Sequence, residues 1–389
     1  MPETGPIDVE LFAGAGGLAV GMKAAGFFPA SFYEVDAFCC RTLRHNISSK
    51  NRTLIGNVFE SKAEDIDWSP LKGKVRLLAA GTPCQPFSLG GKHLADKDGR
   101  NLFPELLRAV RELRPAAVFL ENVRGLSRDS FRPYFEYVLR HLECPVLAPK
   151  SGELWQSHDW RLRKYQLSIG YDPEYHVSFR LVEAADYGVP QNRQRVFIVS
   201  MRRDFPPYEF PRRTHSRAAL LHAQKSGAYW DRHGIRRRTI VNDEHVGDCN
   251  GEKPWATTRD GLAGLPKASQ SEAESEMNHW SIPGAKAYHG HSGSLLDWPA
   301  KTIKAGVHGV PGGENTVIDD SGGLRYFTLR ETARIQTFPD SHLFDGARIH
   351  VTRQIGNAVP CDLAEALAKP LYKLLHQQQG ANYGSPKGV

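Results

Sequence analysis

A few short stretches of this chain carry the side chains that could do chemistry. The first is Gly81-Thr82-Pro83-Cys84-Gln85-Pro86-Phe87-Ser88, which follows an apolar run over residues 75–80. Such a run reads as a buried parallel strand, and one Gly with two Pro residues stiffens the turn that leaves it. A thiol on a rigid strand end is the arrangement of a nucleophile; an incidental or core cysteine is the plain alternative. Glu121 closes a second apolar run, residues 117–120, where a carboxyl could hold or release a proton. Arg193 and Arg195 alternate within Gln191-Asn-Arg-Gln-Arg195. Two guanidiniums on one face suit an anionic or carbonyl-rich partner, with surface ion pairing as the alternative for either one.

These groups need a frame, and the chain supplies a repeating one. Residues 7–12 form an apolar strand, Gly14, Gly16 and Gly17 a turn, and residues 18–25 a helix, the opening of a nucleotide-binding α/β unit. The spacing is not Gly-x-Gly-x-x-Gly, which disfavours a dinucleotide and with it a dehydrogenase. A second strand, 30–35, ends in Glu34-Val-Asp36, and an acid there can accept both ribose hydroxyls. Asp65 and Ile66 follow a further crossover, placed to take an adenine amine and pack on its ring. Each acid could equally cap a helix. Residues 88–100 are glycine-rich and charged without periodicity, the pattern of a loop able to close over a substrate. A helix is expected over 102–113, and further strands over 179–184 and 196–201. From about 204 to 326 the alternation fades and Arg, Gly, Pro and His accumulate. Thr328 and Glu331 have capping-box spacing at the start of a helix running through Gln336. A last amphipathic helix spans 362–375.

The bulk numbers fit this division. A length of 389 residues with 40% hydrophobic residues allows two or three domains. No apolar run approaches the ~20 residues of a membrane span, and the N-terminus lacks the basic and apolar segments of a secretion signal. Six cysteines without paired spacing do not form a disulfide framework, so a reducing cytosol is the expected compartment. The net charge is +7. Residues 202–238 hold ten Lys/Arg against three Asp/Glu, a local excess that fits a polyanionic partner, or a solvated basic face.

Phe12-Ala-Gly-Ala-Gly-Gly17, the Cys84 turn, Glu121-Asn-Val123, Gln191 to Arg195, Arg330-Glu-Thr-Ala-Arg-Ile-Gln336 and Gln354-Ile-Gly-Asn-Ala-Val-Pro360 stand in a characteristic order and spacing. Together they resemble the DNA cytosine-5 methyltransferase family of the bacterial restriction–modification type, over nearly all of residues 7–375. The resemblance implies an α/β fold: a Rossmann-like, S-adenosylmethionine-dependent methyltransferase sheet with an inserted smaller, mostly irregular and β target-recognition domain. Residues 1–203 would form the first part of the catalytic and cofactor-binding domain, 204–326 the recognition domain, 327–375 the return, and 376–389 a disordered tail. It further implies that Phe12, Gly14, Gly16, Gly17, Glu34, Asp65, Ile66, Pro83, Leu102, Asn357 and Val359 hold S-adenosyl-L-methionine, with no metal. Cys84, Glu121, Arg193 and Arg195 would be catalytic. Gln85, Ser88, Lys286, His289, His291, Thr302, Ile303 and Lys304 would contact double-stranded DNA. The implied reaction moves a methyl group to C5 of a flipped-out cytosine in a specific duplex sequence, through a bond between Cys84 and C6. A monomer is implied, cytoplasmic and nucleoid-associated, bacterial or phage, beside a cognate restriction endonuclease. A tRNA cytosine-5 methyltransferase of related fold is the alternative, although its relatives usually carry a different turn before the cysteine.

Overall fold

The computed structural model describes residues 7–48, 53–83, 101–239, 249, 251–271, 277–286, 292–306 and 315–377. Strand and helix alternate from the start: β1 (Ile7–Leu11), α1 (Gly17–Ala24), β2 (Pro29–Glu34), α2 (Ala37–Ser48), β3 (Asn57–Glu60), β4 (Val75–Gly81), α3 (Phe103–Leu113), β5 (Ala117–Val123) and α4 (Arg132–Glu143). A further helix, α5 (Trp155–Gln166), precedes β6 (Tyr175–Glu183) and β7 (Gln194–Arg202). All seven strands form one sheet in the order β3-β2-β1-β4-β5-β7-β6. The first five are parallel; β7 runs antiparallel between β5 and β6. This is the mixed α/β architecture expected from the sequence.

Period-2 alternation distributes the core to both faces of the sheet. Leu78 and Ala80 of β4 pack with Leu106, Val110 and Val138 of α3 and α4. Their neighbours Leu77 and Ala79 pack with Leu18 and Met22 of α1 and with the final helix, α11, described below. The strands are therefore apolar on both sides, as parallel strands covered by helices must be.

The smaller region is built differently. It contains β8 (His215–Ser216), α6 (Arg217–Ser226), α7 (Ala228–His233), β9 (Lys253–Pro254), α8 (Thr258–Leu262), β10 (Ser294–Leu295), β11 (Thr316–Ile318) and β12 (Leu324–Tyr326). Its strands are two or three residues long and form a two-stranded and a three-stranded sheet. Leu220, Tyr229 and Trp230 make a small core of their own. Trp280, Ile282, Ala300, Ile303 and Val317 instead share a core with Ala15, Phe338 and Val351, so this part rests directly on the large sheet's side of the molecule.

Five of the ten basic residues in the run 202–238 are ion-paired within the protein. Arg202 pairs with Asp204, Arg203 with Asp172, Arg213 with Glu252, Arg232 with Asp260 and Arg238 with Asp320. Arg259 joins this network by bonding both Asp297 and Asp320 at 2.7 Å.

The chain returns through α9 (Leu329–Ile335), α10 (Arg348–Asn357) and α11 (Cys361–Gln377). Thr328 and Glu331 form the expected capping box. In α11, Leu363, Leu367, Leu371 and Leu375 recur every fourth residue and are buried, each contributing roughly 1.5–3 kcal/mol. The helix takes in His376 and Gln377, two residues expected in the tail; residues 378–389 lie outside the described part. Among the described residues no helix is long and apolar enough to cross a membrane.

Candidate active site

A cleft of about 300 Å³ opens where β1, β2, β4 and β5 end, the carboxyl edge at which open parallel sheets bind ligands. Its floor is the turn after β1. Phe12 lies at φ 57° and Gly14 at φ 54°, and left-handed backbone is cheap only for the glycine. Among the described residues no atom lies within 4 Å of where a Cβ on Gly14 would sit, so the space a side chain would fill is left to the cleft. Glu34, at the end of β2, fastens this turn. Its Oε2 accepts from the Gly14 N–H at 2.8 Å, and its Oε1 accepts from Val35 and Asp36 N–H. Asn357, Ala358 and Val359 form the opposite wall, and Pro83 and Leu102 close the side. A Cβ on Gly17 would come within 2.5 Å of the Val359 carbonyl oxygen; glycine there lets the two walls meet.

The far end of the cleft holds the acid and the arginines. Glu121 lies inside β5 rather than after it, opposite Phe197 of β7. Arg195 Nε donates to its Oε1 at 2.9 Å, with both side chains largely buried. Burial pushes the Glu121 carboxyl above its ordinary value, while Arg195 and Arg193 pull it back. Asn122 donates from Nδ2 to the Thr82 carbonyl and hydroxyl oxygens, at 3.2 and 2.9 Å. The Thr82 hydroxyl in turn donates to the Glu121 carbonyl. This knot joins the ends of β4 and β5 two residues before Cys84.

Arg193 meets carbonyl oxygens, the second of the two kinds of partner that its residue type suits. It is 1% exposed, and its guanidinium donates to the carbonyls of Ile303, Gly356 and Ala358 at 2.9–3.1 Å. It is a strut at the back wall of the cleft. Ile303 is likewise 1% exposed and its N–H donates to Gln191 Oε1, so its side chain belongs to the core rather than to a DNA face. The Thr302 hydroxyl donates to the Asn192 carbonyl at 2.6 Å. Lys286 and Lys304 are exposed.

Asp65 and Ile66 are not among the residues lining the cleft: Asp65 is exposed in a short 3-10 turn, and Ile66 packs in the core under α3. Gly16 caps α1 against Leu54 and Leu43. Cys84, Gln85, Ser88, His289 and His291 lie outside the described residues.

Three contributors had not been singled out. Glu10 lines the cleft, is 1% exposed, and its Oε2 has no hydrogen-bond partner among the described residues; an acid alternating with apolar residues inside a strand was the available signal. Gln191 bridges Ile303 to Gln336. His342 lies buried between the Ala15 carbonyl and the Thr53 hydroxyl, under the glycine turn.

The sequence model for C-5 cytosine-specific DNA methylases matches residues 8–144 and 168–373. The chain belongs to that family. Such a methylase transfers a methyl group from S-adenosylmethionine to C5 of cytosine in DNA. The chain is 31% identical over 377 residues to the type II methyltransferase M.PspPI of a Psychrobacter species, covering 95% of this chain and 79% of that one. It is 30% identical over 374 residues to M.NgoMIV of Neisseria gonorrhoeae, covering 95% and 98%. Among solved structures, a putative DNA modification methyltransferase from an E. coli prophage superposes with a TM-score of 0.56 at 21% identity, covering 95% of this chain and 99% of that one. A DNMT2 mutant from Spodoptera frugiperda gives 0.57 at 17%, covering 95% and 100%. Both share the fold. The methylase cofactor fits the cleft chemically: Glu10 Oε2 is a buried oxygen without a partner among the described residues, and the open face of Gly14 lets a ligand approach the backbone.

Proposed function

We propose that this methylase acts on a cytosine swung out of duplex DNA, with Cys84 as the nucleophile. The supporting observation is the buried Glu121–Arg195 pair, held beside the strand end that leads through Thr82 and Pro83 into Cys84. Cytosine C5 is a weak nucleophile. Thiolate addition at C6 makes it the carbon of an enamine, which replaces one hard step by two easier ones. A free thiol has a pKa near ~8.5, and the Arg195 charge favours its ionisation. The ring then gains negative charge at N3 and O2. A protonated Glu121 donates to N3, consistent with the upward push of burial on its carboxyl, and Arg195 stabilises O2. S-adenosylmethionine, when bound, supplies the activated methyl group. Phe12, Gly14, Glu34, Pro83, Leu102, Asn357 and Val359 are the residues proposed to hold it, with Glu10 facing its ammonium. After methylation the C5 proton is lost to a base and the thiolate is expelled.

The target base must leave the stack before this chemistry can start. The smaller region supports the opened duplex in this reading, with Lys286, Thr302 and Lys304 on the side that meets DNA. Because Thr302 and Ile303 are bonded to the Asn192 carbonyl and Gln191, residues 301–304 act as a fixed base for base-reading loops. The protein acts as a monomer in the bacterial cytoplasm, on the nucleoid, and protects DNA from a restriction endonuclease that reads the same site. Bisulfite sequencing of DNA from cells expressing the protein tests this reading: methylcytosine in one sequence context is the expected result. Preference for tRNA over duplex DNA in a competition assay would transfer the activity to RNA.

A further inference from the structure

The family match breaks at residues 145–167, and α5 (Trp155–Gln166) falls wholly within that break. The family model thus leaves this helix unmatched. It runs alongside α4 in the same direction: Trp155 meets Tyr134 near the start of α4, Asp159 pairs with Arg140 midway, and Gln166 bonds Glu143 at its end. Since α4 follows β5, the start of α5 stands at the carboxyl edge of the sheet, the edge that holds the cleft.

There it is linked to the cleft wall by a relay of side-chain contacts. Trp155 packs edge-on against Tyr134, with ring centroids 5.3 Å apart, and Tyr134 is 5% exposed. The Tyr134 hydroxyl accepts from Asn101 Nδ2 at 2.7 Å, and its ring meets Phe103 edge-on at 6.2 Å. Asn101 Oδ1 also accepts from the Phe103 N–H. Tyr134 therefore grips the residues on both sides of Leu102, which lines the cleft and caps the start of α3.

We propose that helix α5 sets the cleft's affinity for S-adenosylmethionine from behind, with Trp155 bracing Tyr134 and Tyr134 fixing Asn101, Leu102 and Phe103. Trp155 and Tyr134 are positioning residues and touch no ligand. The inference rests on the assignment of this cleft, and of Leu102, to the cofactor.

The test compares S-adenosylmethionine binding by calorimetry with duplex DNA binding and thermal stability in the full-length variants. Tyr134→Phe deletes one hydroxyl and keeps the ring. It should weaken cofactor binding roughly fivefold, the scale of one lost hydrogen bond, with DNA affinity unchanged. Trp155→Ala should weaken cofactor binding more and lower the melting temperature; Trp155→Phe should recover most of the binding. Leu102→Ala is the control for the underlying assignment. If Leu102→Ala weakens cofactor binding while Tyr134→Phe and Trp155→Ala bind it like wild type, the brace is wrong and α5 only packs. Unchanged binding in Leu102→Ala removes the assignment of the cleft wall, and the brace with it.

Discussion

The cleft and the arginine-rich region use charged residues in opposite ways. At the cleft, the charged groups at the strand ends are held by the covered sheet: Glu34 by three backbone N–H groups, Glu121 by burial and Arg195. In the smaller region charges are many, yet Arg213, Arg232, Arg238 and Arg259 are engaged with Glu252, Asp260, Asp297 and Asp320. There, ion pairs and a second capping box at Thr257–Asp260 replace the long strands that organise the sheet. A local charge excess in sequence therefore overstates the charge available to DNA. Reactivity concentrates where charge is desolvated.

Substitutions can break this contrast at several strengths. The largest loss is expected from Cys84→Ala, which should lower turnover by roughly 10⁴-fold or more while duplex binding in a gel-shift assay stays intact. Full residual activity would remove the nucleophile. Next, Arg193→Ala removes the buried donor from the Ile303 and Gly356 carbonyls and one of two from that of Ala358. A destabilisation of roughly 3–5 kcal/mol is expected by denaturant titration. A near-neutral result would mean that Arg193 is not a strut.

Glu121→Gln should cost roughly 10²–10³-fold in kcat with little change in cofactor affinity; the reverse split would assign Glu121 to binding. The raised carboxyl also fixes a sign. Its protonated, donating form dominates below its pKa, so kcat should fall as pH rises through that value. Glu121→Gln should flatten this limb, and a wild-type pH profile in the variant would contradict the assignment.

The smallest effect belongs to the arginine-rich region. Arg259 and Arg238 hold Asp320 at about 2, below its ordinary 3.8. Stability from this group is thus present above about pH 4 and lost as pH falls towards 2. Asp320 is half exposed, so Asp320→Asn should cost less than about 1 kcal/mol at pH 7. Melting curves should converge with wild type under acid; a large loss at pH 7 would make the network more than a surface tie.

Local signals were legible in the sequence and distant ones were not. The strand–glycine–helix opening and the Thr328–Glu331 box depend on neighbours and appear where expected. The end of α11 and the place of Glu121 within β5 shifted by a few residues, because strand pairing and packing set those ends. The smaller region depends on contacts such as Arg259 with Asp297 and Asp320, 38 and 61 residues away, which no periodicity reveals. Burial of Ile303 follows from the same cause: the Gln191 side chain that receives its N–H lies 112 residues earlier. Asp65, an acid at the expected spacing, stands exposed on a short turn beside the buried Ile66.

The covalent step is open to one direct trial. Duplex DNA carrying 5-fluorocytosine at the target position is incubated with the protein and S-adenosylmethionine, then run on a denaturing gel. Fluorine in place of the C5 proton blocks the final elimination, so a cross-linked species should accumulate with wild type and be absent with Cys84→Ala. Failure of active wild-type protein to form any adduct on its proper target would contradict attack by the thiolate.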